Sequence, residues 1–146
     1  MSFYSKILRR IAKTLYPYLH KEEERLSRQC ILTRAQKFAA CGKDLYFDST
    51  VQVKGYEYIQ IGDQVSAGSN LRLEAIKREG FANPCLRIGS NVSCIDFCHI
   101  GCVECVEIGD GTLMASKVFI TDHFHGDVSA NDLHTPPQSV FSVVNR

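Results

Sequence analysis

A six-residue rhythm limits what this chain can fold into more than any other feature. "IGDQVS" begins at Ile61, "IGSNVS" at Ile88 and "IGDGTL" at Ile108. Steps of six from Ile88 reach Cys94 and Ile100, and steps of six from Ile108 reach Met114 and Ile120. The first place of each hexad is therefore apolar and the second is often glycine. The fifth is small or apolar, as at Val65, Val92, Cys98, Thr112 and Val118. A period-two strand forced to turn every six residues cannot lie in a flat sheet. It coils into a parallel β-solenoid, with the first and fifth places inside and successive coils about 4.8 Å apart. A sandwich would instead show turn signals every ~8–12 residues.

Three hexads make one triangular coil. This predicts coils over 88–105 and 108–125, with Val106 and Glu107 as a two-residue bulge between them. The coil starting at Ile61 is interrupted by "EAIKREGFANPC", expected as an external loop. Residues 2 to about 40 have a different texture. Phe3, Ile7, Ile11 and Leu15 form one i, i+4 row, with Tyr4, Leu8, Ala12 and Tyr16 beside it. Pro17 is expected to end or kink this helix. A second helical stretch, "KEEERLSRQCILTRAQKFAA", stops near Gly42. The predicted organisation is a helical segment over 1–42 and a mainly β domain over 43–146.

With a net charge of +1 and 23% charged residues, the composition favours neither nucleic-acid binding nor disorder. No apolar run approaches the roughly 18 residues of a membrane span, and no signal-peptide pattern opens the chain, so a cytoplasmic location is expected. Seven cysteines, an odd count, then read as free thiols. The first helix carries Lys6, Arg9, Arg10 and Lys13 and no acid. Such a helix either lies on an anionic membrane surface or packs its apolar side on its own domain or a sister subunit.

Candidate chemistry follows the last hexad, in "FITDHFHGD". On the hexad lattice Ile120 is place one, His123 place four and His125 place six, which points outward. Imidazole titrates near neutrality and is suited to taking a proton from a hydroxyl. The competing reading is a pair of solvated turn histidines. Cys94, Cys98, Cys102 and Cys105 suggest a metal cluster, but the lattice directs the first two inward and the last two outward. Sulfurs on both sides of a wall cannot converge on one ion, so no metal is expected.

The rhythm resembles that of the hexapeptide-repeat acyltransferases, whose fold is a left-handed parallel β-helix. More narrowly, "IGDGTLMASKVFITDHFHG" followed by "LHTPP" is similar to the bacterial O-antigen and polysaccharide O-acetyltransferases. The resemblance spans residues 45–137. It implies transfer of acetyl from acetyl-CoA to a sugar hydroxyl in surface-polysaccharide synthesis, by a homotrimer with sites between neighbouring subunits. It also implies His125 as general base, with His123 or Asp122 orienting it or contacting the sugar, and an external loop after Gly126 in which His134 is incidental. Ile95 stands where the family commonly has an asparagine that binds the acceptor. Asp96 or the backbone would have to substitute, with His99 as a further acceptor contact. In the family more hexads follow the loop and build the CoA groove. None follows here before Arg146, so the domain is expected to be C-terminally truncated and its CoA-binding residues are unknown. Two other functions compete: an inactive β-helix scaffold or interaction module, and a zinc hydratase of the same fold. The latter needs a histidine spacing this sequence lacks.

Overall fold

The structure, a computed structural model, describes residues 3–79, 81–124 and 142–143. It divides into two compact units, Met1–Arg34 and Ala35–Arg146. The first is a single helix, α1 (Phe3–Ala35), where two were expected. Pro17 lies inside it and does not end it. Side-chain pairs at helical spacing follow the proline: His20 with Glu24 at 3.5 Å and Arg25 with Glu22 at 2.9 Å. Tyr4, Ile7, Leu8, Ile11 and Leu15 are exposed along this helix.

The second unit is a left-handed parallel β-helix. Its strands are β1 (Ala40–Cys41), β2 (Tyr46–Phe47) and β3 (Gln52–Lys54); β4 (Ile59–Ile61), β5 (Ser66–Ala67) and β6 (Arg72–Ala75); β7 (Cys85–Ile88), β8 (Ser93–Cys94) and β9 (His99–Cys102); β10 (Cys105–Ile108), β11 (Leu113–Met114) and β12 (Phe119–Thr121). Every third strand stacks in parallel, giving three four-stranded walls: β1-β4-β7-β10, β2-β5-β8-β11 and β3-β6-β9-β12. Beyond them, β13 (His123–Phe124) pairs antiparallel with β14 (Ser142–Val143).

First and fifth places line the interior as expected. Ile61, Val65, Ala67, Leu71 and Leu73 are buried in one coil, and Ile88, Val92, Cys94, Cys98 and Ile100 in the next. The pairing of Cys41 with Ile61 shows "CGKDLY" at 41 to be another hexad, with cysteine in first place. Phe38 closes that end of the core, packed on Phe47 and Tyr56. The loop inside "EAIKREGFANPC" occupies 76–84 and joins β6 to β7.

Two lattice details differ from expectation. Val106 and Glu107 are not a bulge but β10 residues paired with Leu86 and Arg87. The sequence Val-Glu-Ile alternates like a strand, and the two extra residues fall at the corner formed by Val103 and Glu104. Lengthening that corner carries the preceding strand on to Cys102, which is therefore fully buried rather than outward.

The corners explain the remaining hexad letters. The fourth place takes a left-handed backbone at Asp44, Gln64 and Asn91, with Gly111 in the equivalent position (φ 69°). The third-place acid reaches the neighbouring coil. Asp63 Oδ1 accepts the Lys43 N–H at 2.7 Å, and Asp110 Oδ1 accepts the Ser90 N–H at 2.7 Å. The second-place glycine makes room for it. A Cβ at Gly89 would lie 2.3 Å from Asp110 Oδ1.

Candidate functional site

The third wall positions the histidines. Gln52, Arg72, His99 and Phe119 form one outward ladder, and Lys54, Glu74, Gly101 and Thr121 form another. Between them Val53, Leu73, Ile100 and Ile120 turn inward. Glu74 is nearly buried although it points outward, because three partners cover its carboxylate. Arg72 Nη2 is 2.8 Å away, Lys54 Nζ 3.1 Å, and His99 Nε2 2.9 Å. Burial alone would push the Glu74 pKa up. The hydrogen bonds from Lys54, Arg72 and His99 outweigh it and hold the pKa down at about 2. His99 also meets the edge of Phe119, with ring centroids 5.1 Å apart.

Beside Glu74 the ladder has a gap at Gly101. A Cβ there would stand 3.2 Å from His123 Cε1, 3.4 Å from Thr121 Oγ1 and 3.9 Å from His99 Nε2. Glycine thus leaves a notch between two imidazoles and a hydroxyl. His123 is buried, with Nδ1 2.8 Å from Thr121 Oγ1 and 3.2 Å from Asp122 Oδ1. Asp122 itself clamps a corner. Its oxygens accept the backbone N–H groups of Val103 (2.9 Å), Glu104 (2.8 Å) and Cys105 (2.9 Å). Burial opposes its ionisation, but these donors and His123 keep its carboxyl below the usual range.

Of the residues singled out from sequence, the structure brings His99 and His123 together around Gly101 and joins Asp122 to His123. Asp96 lies at another corner, where its Oδ1 accepts the Ser69 N–H at 2.8 Å, the same clamp that Asp63 and Asp110 make. His125 lies outside the described residues. Sequence reasoning missed Glu74, Arg72, Lys54, Thr121 and Gly101. Their signal is the coil-to-coil step, 20 residues from Cys41 to Ile61 but 27 from Ile61 to Ile88 because of the loop. A groove of about 420 Å³ lies on a different wall, lined by Gln60, Gly62, Arg87, Gly89 and Glu107 among others. Burial pushes the Cys94 and Cys102 thiols up to about 12, which disfavours their thiolates.

No protein-family model matches the chain, and no solved structure matches it. A curated protein of Escherichia coli (strain K12), named putative lipopolysaccharide biosynthesis O-acetyl transferase WbbJ, is 36% identical over 113 residues. The match takes in 77% of this chain and 53% of the relative, so the chain spans about half the length of the curated relative it matches. The six-residue repeat and the three-walled left-handed coil thus fit a hexapeptide-repeat β-helix, and the chain is similar to a protein that bears an O-acetyl transferase name.

Proposed function

We propose that the chain is an O-acetyltransferase that moves an acetyl group from acetyl-CoA to a sugar hydroxyl in surface-polysaccharide or O-antigen assembly. The observation that carries this reading is the 36% identity to a protein bearing an O-acetyl transferase name. In this mechanism a histidine takes the hydroxyl proton as the oxygen attacks the thioester carbonyl. The carbon–sulfur bond then breaks, and CoA leaves as its thiol with that proton. Such a base contributes about 10²–10⁴-fold. His125 is the proposed base and His123 its neighbour at the site.

What supports His123 in this role is its tethering to Thr121 and to a charged Asp122, which fixes the ring at the strand end leading to His125. His99, held by Glu74, and Asp122 are the proposed acceptor contacts, with Asp96 one corner away. The enzyme works without a metal, as a cytoplasmic homotrimer, with residues 1–20 touching the inner membrane peripherally. One observation favours a second reading, a non-catalytic β-helix module: the carboxylates of Asp96 and Asp122 both serve as corner clamps. Transfer of labelled acetyl from acetyl-CoA, measured with and without sugar acceptors, separates the two. Transfer should require an acceptor and vanish in His125→Ala. Unchanged turnover in that variant would end the mechanism, and a folded chain that fails to bind CoA at millimolar concentration would favour the module.

A further inference from the structure

We infer that Cys85 and Cys105 form a thiol–disulfide exchange site on the outer face of the first wall, which a low-molecular-weight disulfide such as oxidised glutathione closes into an intramolecular disulfide. The two residues are direct partners across β7 and β10. Alternation settles which way they point. Leu86, Ile88 and Val106 are buried, so Cys85 and Arg87 share the outer face with Cys105 and Glu107. The ion pair between Arg87 and Glu107, the next outward pair along the same strands, shows that this ladder is in register on that face.

Adjacent strands at about 4.8 Å fall inside the Cα separation of roughly 4.4–6.8 Å that a disulfide spans. Burial, the Cys85 thiol and Glu107 together push the Cys105 thiol up, against the opposing Arg87. Cys85 starts its strand directly after loop 76–84. The other thiols are placed differently. Cys94, Cys98 and Cys102 are buried, Cys41 pairs with Ile61, and Cys30 is exposed on α1.

The exchange has two steps. The Cys105 thiolate attacks one sulfur of the oxidant, forming a mixed disulfide and releasing one thiolate. The Cys85 thiolate then attacks the Cys105 sulfur, closing the protein disulfide and releasing the second thiolate, which takes up a proton. Two protein thiols lose two electrons and two protons, and one small disulfide becomes two thiols. Because the Cys105 thiol is raised, the reaction quickens as pH rises above neutrality. The bond staples neighbouring coils beside the Asp122 clamp, to which Cys105 donates its own N–H.

The test treats the reduced full chain, dilute and at about pH 8, with oxidised glutathione, followed by intact mass and non-reducing peptide mapping. The expected product is one Cys85–Cys105 cross-link lacking two hydrogens and reversed by dithiothreitol. Cys85→Ser, folded by circular dichroism, should instead keep glutathione on Cys105. A wild-type chain that holds stable glutathione on Cys105 would overturn the inference. So would free thiols at both positions while the exposed Cys30 becomes modified, or cross-links between chains.

Discussion

Asp122→Ala should cost far more stability than Asp110→Ala, although both remove a third-place corner acid. Asp110 accepts one backbone N–H, from Ser90. Asp122 accepts three, from Val103, Glu104 and Cys105, and also holds His123 Nδ1. A hydrogen bond to a charged acceptor contributes about 1.5–3 kcal/mol when dry and nearer 1 kcal/mol where water can replace it. Glu104 and Cys105 are exposed, whereas Val103 is buried. The loss at Asp122 is therefore about 3.5–5 kcal/mol, against about 1 kcal/mol at Asp110. Urea unfolding followed by far-ultraviolet circular dichroism, at matched protein concentration and with equal slopes, measures the difference. A gap of about 2.5–4 kcal/mol corresponds to roughly 5–16 °C in Tm for a chain of this size. Two variants within about 0.5 kcal/mol of each other would refute the three-donor clamp.

Other expectations follow from the same geometry. Gly89→Ala should destabilise by about 2–4 kcal/mol, because its Cβ would meet Asp110 Oδ1 at 2.3 Å and Asp110 N at 2.8 Å. Gly109→Ala, where a Cβ meets nothing within 4 Å, should stay near wild type in the same unfolding assay. Glu74 titrates at about 2 in the folded chain against 4.5 ordinarily, so the folded state binds fewer protons than the unfolded one in that range. Its stabilisation is fully present above 4.5 and is lost as pH falls toward 2, and Glu74→Gln should flatten the acid limb of a stability–pH curve. The full chain should bind vesicles containing anionic lipid, less so in high salt, through exposed Ile7, Leu8 and Ile11 beside Lys6, Arg9, Arg10 and Lys13. Ile11→Asp should weaken binding, and equal binding to purely zwitterionic vesicles would count against it.

The wall and the interior were legible in the sequence because both depend on local periodicity. A side chain's direction in a strand alternates every residue, and a turn every sixth residue leaves one way to bury Ile61, Val65, Ala67, Leu71 and Leu73 together. The stretch 108–126, singled out by its resemblance, likewise includes the strand end where His123 stands. Corner length was not legible. Two extra residues at Val103 and Glu104 leave the apolar pattern nearly unchanged, yet they turn Cys102 inward and make a strand of Val106 and Glu107.

The sequence by itself determined a parallel solenoid, its inward places and the stretch that carries the histidines. Only the tertiary structure decided which groups meet there. Glu74 reaches His99 across 25 residues because a loop makes that coil longer, and Asp122 finds three backbone donors 17 to 19 residues back. Those partners lie on the neighbouring coil, about 4.8 Å away in space but a full circuit away in sequence. Stacking, not adjacency, therefore sets whether a carboxylate faces a substrate or holds a corner.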